Sequence, residues 1–156
     1  MECTGMRVRS ADLDDPRVVG LLLTHAERAL AGARCRAGHA LDIDALCAGD
    51  IEVVALWRYD EPVAVGALRR LDADHGELKS MFVADNVRGQ GIGRRLLQAM
   101  TTLARSRGMN RLSLETSRSA YFDAARRLYE RAGFAPCDAF GGLPAHPDSV
   151  FLSRRI

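Results

Sequence analysis

The apolar positions of this chain switch repeatedly between a two-residue and a three-to-four-residue period. Met6 and Val8 alternate with Arg7 and Arg9, which predicts a first strand over Met6–Ser10. Asp12, Asp14, Asp15 and Pro16 then place acids and a proline where a helix begins. Val18, Val19, Leu22, Leu23, Ala26 and Leu30 carry a helical stripe as far as Gly32. Ala33–Ala40 shows no period and reads as a loop, and Leu41–Leu46 predicts a short second helix capped by Asp42 and closed by Gly49. Three strands follow at Ile51–Tyr59, Val63–Leu71 and Glu77–Val83. Turns at Asp60-Glu61-Pro62 and at Asp72–Gly76 join them into an antiparallel meander.

After Val83 the period becomes helical. Ile92, Leu96, Met100, Leu103 and Ala104 fall on one stripe, with Arg94, Arg95, Gln98, Thr101, Thr102 and Arg105 facing away, until Arg107-Gly108 ends the helix. Arg111–Glu115 alternates as a fifth strand. Ser119–Ala132 reads as a helix through Phe122, Ala125, Leu128, Tyr129 and Ala132, closed by Gly133. Phe134 opens a sixth strand, and Val150–Ser153 makes a seventh beyond a glycine- and proline-bearing stretch. The predicted order is β-α-α-β-β-β-α-β-α-β-β.

The join between the fourth strand and its helix is where chemistry enters. Arg88-Gly89-Gln90-Gly91-Ile92-Gly93-Arg94 places glycines at the first turn of a helix, where backbone N–H groups are unpaired and the macrodipole is positive. Glycine lets a phosphate approach those groups, and Arg88, Arg94 and Arg95 add full charges, so a diphosphate is the natural occupant. No Gly-Lys-Ser/Thr follows, which excludes a Walker loop, and the spacing misses the last glycine of the dinucleotide fingerprint.

Composition narrows the class further. The chain has 156 residues, 47% hydrophobic and 27% charged, as expected of one globular domain over 1–156. A net charge of +2 gives little reason to expect nucleic acid as a partner. Cys3, Cys35, Cys47 and Cys137 are scattered, without C-x-x-C or histidines at metal spacing. We therefore expect free thiols, no metal, a reducing compartment and a cytoplasmic protein without a membrane segment. His25, His75 and His146 read as surface or turn residues.

Arg88, Gly91 and Gly93 make the pattern R-x-x-G-x-G, and Leu128–Phe134 reads LYERAGF. In these two motifs, in this order, the chain resembles the GNAT superfamily of N-acetyltransferases. HALDIDAL (His39–Leu46), GELKSM (Gly76–Met81) and HPDSVFL (His146–Leu152) are similar to a bacterial branch of small single-domain members, some labelled indole-acetic-acid acetyltransferase. The resemblance implies an α/β (α+β) GNAT fold: a mixed, mostly antiparallel seven-stranded sheet, splayed after its fourth strand and flanked by about four helices. It implies acetyl-CoA as co-substrate, with Arg88, Gly89, Gln90, Gly91, Ile92, Gly93 and Arg94 on the diphosphate and the backbone of Met81, Phe82 and Val83 pairing with pantetheine.

Acetyl transfer to an amine needs a base for the amine, a donor to the oxyanion and a proton for the thiolate. The resemblance places Glu77 as base, a backbone N–H at Phe82 on the oxyanion and Tyr129 as acid. It also implies direct transfer in a ternary complex. Phe122 departs from the family, many of whose members have an asparagine seven residues before the tyrosine. The acceptor expected is a small-molecule amine, entering between the Ala33–Leu41 and Phe140–Asp148 segments, with His39 lining its pocket as a titratable group near neutral pH. A homodimer is left open. The alternatives are a non-catalytic acyl-CoA sensor that keeps the loop but not Glu77 and Tyr129, and a nucleic-acid binder using Arg94–Arg107.

Overall fold

A computed structural model describes residues 5–32, 43–47, 49–142 and 146–156. The alternating stretches become strands and the helical stripes become helices. β1 (Met6–Ser10) leads to α1 (Pro16–Gly32), and the short α2 (Ile43–Leu46) precedes β2 (Ile51–Arg58), β3 (Glu61–Asp72) and β4 (His75–Val83). Then come α3 (Ile92–Ser106), β5 (Arg111–Ser117), α4 (Asp123–Arg131), β6 (Ala135–Pro136) and β7 (Ser149–Arg155). The succession is the predicted one. The segment 33–40, with His39 in it, and the proposed cap Asp42 lie outside the described residues.

Some boundaries differ for physical reasons. The β3–β4 hairpin is tighter than expected, because β3 runs on to Asp72 and β4 begins at His75, which pair with each other. His75 is therefore a strand residue and not part of a turn. The predicted helix Ser119–Ala132 divides into a 3-10 turn, Ala120–Phe122, and α4. Phe134 precedes the sixth strand and instead sets its ring against Tyr129, with centroids 5.7 Å apart.

The seven strands lie in the order β1-β2-β3-β4-β5-β7-β6, antiparallel except for β4 and β5. That parallel pairing is short, running from His75↔Arg111 to Leu78↔Leu114. Beyond it, β4 continues to Val83 and β5 to Ser117 without each other. A bulge accompanies the parting. Register on β3 slips between Val65↔Phe82 and Ala67↔Lys79, which leaves Ser80 and Met81 opposite Gly66. Ser80 takes a left-handed φ of 59°, and a side chain at Gly66 would stand 2.8 Å from the Met81 sulfur. A bulge bends its strand and sharpens its twist, here away from β5.

Two apolar layers hold the sheet. On one face Leu78, Leu112 and Leu114 pack with Ile92, Leu96 and Met100 of α3, Tyr129 of α4 and Phe134. On the other, Val18 and Leu22 of α1 and Leu46 of α2 cover Val53, Trp57, Val65, Ala67 and Phe82. Alternation along β4 thus sends Leu78 to the α3 side and its neighbour Glu77 to the α1 side.

Candidate active site

Where β4 and β5 separate, a cleft of about 1210 Å³ opens on the α3–α4 side. Met81, Phe82 and Val83 form one wall, and α3 and α4 form the others. With no strand beside it, this half of β4 presents backbone donors and acceptors to the gap, an unpaired edge that an extended ligand can complete. Among the described residues, three buried hydroxyls near the parting strands have no hydrogen-bond partner, Ser80 on β4, Thr116 on β5 and Ser119 just after it, although none of them lines the cleft.

The cleft is also strongly cationic. Arg88, Arg94, Arg105, Arg127, Arg131 and Arg154 line it, with no aspartate or glutamate among its described lining residues. Gly89 and Gly91 both have φ of 75°, the left-handed region that glycine enters without a Cβ penalty, and a Cβ at either would meet open space. Gly91 caps α3 with no side-chain hydrogen bond, and the first turn that it opens, Ile92, Gly93 and Arg94, lines the cleft. The Arg88 guanidinium is fixed by an Nε–H hydrogen bond of 3.2 Å to the Val83 carbonyl and an ion pair with Asp85 at 3.2 Å, and it stands 5.5 Å over the Phe82 ring. Low-dielectric walls focus such charge on an anionic ligand. Amide-bearing, extended and phosphorylated, coenzyme A fits this donor set.

Of the ten cofactor residues expected from sequence, Met81, Phe82, Val83, Arg88, Gly89, Gly91, Ile92, Gly93 and Arg94 line the cleft. Gln90 does not: its Oε1 accepts from Arg58 at 2.7 Å, across the sheet edge. The polar side of α3 is not simply solvated, since Arg94, Gln98, Thr101, Thr102 and Arg105 form the cleft wall and Thr101 is buried.

Tyr129 lines the cleft and is 5% exposed. No described residue bonds its hydroxyl, and burial pushes the phenol far above its ordinary range. Glu77 is placed differently. It is 7% exposed and does not line the cleft. It sits on the α1 side at the last paired stretch of β4, with Lys79 Nζ at 3.2 Å and Arg69 at 4.0 Å from its carboxylate. The structure therefore sets the expected base and acid on opposite sides of the sheet, joined through the gap between β4 and β5.

His25 corrects its expectation. It is buried on α1, 8% exposed, packed on Phe82 at 5.5 Å and Phe122 at 6.3 Å. Burial first, and Arg88 second, lower its pKa to about 4, so the ring is neutral. Its Nδ1 lies 3.2 Å from the Tyr121 hydroxyl, which spans the mouth of the gap from the β5 side to α1. Sequence reasoning missed Tyr121 and His25, because the signal is a tertiary contact 96 positions apart.

The profile described as Acetyltransferase (GNAT) family matches residues 36–134. This chain belongs to the GNAT acetyltransferase family. It is 35% identical over 151 residues to YsnE of Bacillus subtilis (strain 168), an uncharacterized N-acetyltransferase, covering 97% of this chain and 100% of that protein. It is 36% identical over 120 residues to the IAA acetyltransferase of Azospirillum brasilense, covering 76% of each. In fold it matches a GNAT family acetyltransferase from Staphylococcus aureus Mu50, with a TM-score of 0.76 at 18% identity over 97% of this chain and 99% of that one. An Elizabethkingia anophelis GNAT acetyltransferase, solved with acetyl-CoA bound, gives a TM-score of 0.72 at 18% identity, over 98% and 99%.

Proposed function

We propose that residues 1–156 act as one domain that transfers an acetyl group from acetyl-CoA directly to a small-molecule amine in a ternary complex. The observation that carries this reading is the unpaired half of β4 beside an arginine-walled cleft. Arg88–Arg94 hold the diphosphate through backbone N–H groups and guanidinium charge. The free edge of Met81–Val83 receives the amide-bearing arm. The Phe82 N–H serves the developing oxyanion.

Glu77 removes a proton from the acceptor ammonium on the α1 side, and Tyr129 donates its hydroxyl proton toward the departing sulfur on the cleft side. A phenol raised by burial gives up its proton less readily. A thiolate in the same dry cleft is penalised too, which keeps the transfer feasible. Widely spaced thiols, of which Cys47 and Cys137 are free, suit a reducing cytoplasmic setting. Among the described residues no helix is long and apolar enough to cross a membrane.

One observation favours a second reading, an acyl-CoA sensor without turnover: Glu77 is already engaged by Lys79 and Arg69, outside the cleft. Thiol release from acetyl-CoA against a panel of small amines decides between them. Amine-dependent release, lost in Glu77→Gln, is expected of the enzyme. Saturable acetyl-CoA binding with no release for any amine is expected of the sensor.

A further inference from the structure

We propose that His75 is the proton-release group of the transfer: through intervening water it takes from Glu77 the proton removed from the acceptor and passes it to solvent from Nδ1. This rests on the reading of Glu77 as base. In the overall reaction the amine lone pair forms the new C–N bond and the C–S pair leaves on sulfur, which gains one proton. Starting from an ammonium, the nitrogen loses two protons. One ends on the thiol, and the other must leave the site in every cycle.

Glu77 is poorly placed to release that proton alone, being 7% exposed and flanked by Lys79 and Arg69. His75 stands two positions before it on the same face of β4, about 7 Å along the strand. It is only partly buried, at the sheet end where β4 begins.

A hydrogen-bond chain fixes its protonation. His75 Nε2 lies 2.6 Å from Ser113 Oγ, Ser113 Oγ lies 2.8 Å from Ser153 Oγ, and Ser153 Oγ donates to the Leu112 carbonyl at 3.3 Å. A carbonyl only accepts, so the Ser153 proton is committed to it. Ser113 must then donate to Ser153, and His75 Nε2 must donate to Ser113. The chain ends on a carbonyl and cannot conduct a proton. It holds the ring with Nε2–H inward, and Nδ1, which no described residue bonds, is the site that gains and loses the proton. Ser113 is 1% exposed and pairs in register with Glu77, so the ring's anchor and the base share one rung of the sheet.

The groups around the ring suit the task. Burial and Arg111 on β5 lower the His75 pKa, against Asp72 at the end of β3, Asp74 in the hairpin turn and Glu77 on β4. Phe140 packs 6.3 Å away. The ring is thus neutral and ready to accept at neutral pH, and imidazole is ordinarily a stronger base than a carboxylate.

The test uses the intact chain with whichever amine gives turnover. His75→Gln keeps a donor for Ser113 and cannot titrate. In weakly buffered solution it is expected to lower kcat about tenfold, with the acetyl-CoA KM unchanged, and added imidazole is expected to restore the rate. The wild type should not respond to imidazole. A folded His75→Gln with wild-type kcat overturns the assignment, as does a loss that imidazole does not repair. Should His75→Gln fail to fold, Ser113→Ala is read the same way: partial loss recovered by imidazole supports the role, and any other result overturns it. If Glu77→Gln keeps full turnover, the base reading itself falls. If Glu77→Gln is inactive while His75→Gln is normal, only the release group falls.

Discussion

From His75 to Leu78, β4 is paired on both sides, with β3 and with β5; from Lys79 to Val83 it is paired with β3 alone. The paired half carries Glu77 and His75 among charged and hydroxyl groups on the α1 side. The open half carries Met81 and Val83 on the α3 side and Phe82 on the α1 side, at the edge of a cleft lined by six arginines. One strand thereby serves both a closed, polar neighbourhood suited to moving protons and an open edge suited to binding an extended anion. The bulge at Ser80–Met81 opposite Gly66 divides them. The difference teaches that binding and chemistry are separable here, and mutations on either side of the bulge should give different phenotypes.

The sharpest break in that division comes from the open half. Gly91→Glu places a carboxylate at the α3 N-terminus and forces a side chain into a φ of 75°. Thermal melts of the wild type should rise with coenzyme A, by about 2.7 kcal/mol of stabilisation at a hundredfold excess over Kd. Gly91→Glu should show no rise. A variant that folds and still responds as the wild type does would move the diphosphate elsewhere.

In the paired half the opposite pattern is expected. Glu77→Gln should cut kcat by about a hundredfold while the coenzyme A melt shift survives. Tyr129→Phe, across the gap, should also lower kcat and spare affinity, since no described residue bonds the hydroxyl. Should either variant lose coenzyme A affinity in step with kcat, the division between the halves would fail.

Much of this was legible in the sequence, for reasons that also mark the limit. Period gave the order of strands and helices, though not the 3-10 turns Asp85–Val87 and Ala120–Phe122, because burial of one face imposes a spacing of 2 or 3.6 on the apolar residues themselves. The Gly89–Gly93 run was legible because a left-handed turn entering a helix restricts the residue type directly. The bulge was not: Gly66 and Ser80 are ordinary strand residues until β3 and β4 are brought into register. His25 was misread as a surface residue because nothing local reveals that Phe82 and Tyr121 converge on it. The Ser113–Ser153 pair is likewise a product of β5 and β7 lying side by side.

His25 sharpens the contrast through pH. Its folded pKa is about 4, against roughly 6.5 when unfolded. The shift is downward, so the unfolded chain binds more protons between these values. Stability is full above the unfolded value and declines as pH falls toward the folded one, by about 3 kcal/mol in all. His25→Gln should flatten that part of the curve of Tm against pH. An unchanged slope in the variant would mean that His25 is solvated and that the Tyr121 bridge across the gap does not form.

The smallest effect expected is at Gln90, and it tests how finely the open half is drawn. Its neighbours Gly89 and Gly91 line the cleft, yet the Gln90 side chain is exposed and turned to Arg58, 2.7 Å away on β2. An exposed hydrogen bond of this kind contributes within about 0.5 kcal/mol. Gln90→Ala should therefore leave coenzyme A affinity within about twofold of wild type. Arg88→Ala, two positions earlier, removes a guanidinium held over Phe82 at the cleft wall and should weaken binding by about tenfold or more. Titration of coenzyme A against the two variants, followed by calorimetry, separates the outcomes. Equal losses would show that Gln90 swings into the cleft with the ligand and that the boundary of the open half lies one residue further out.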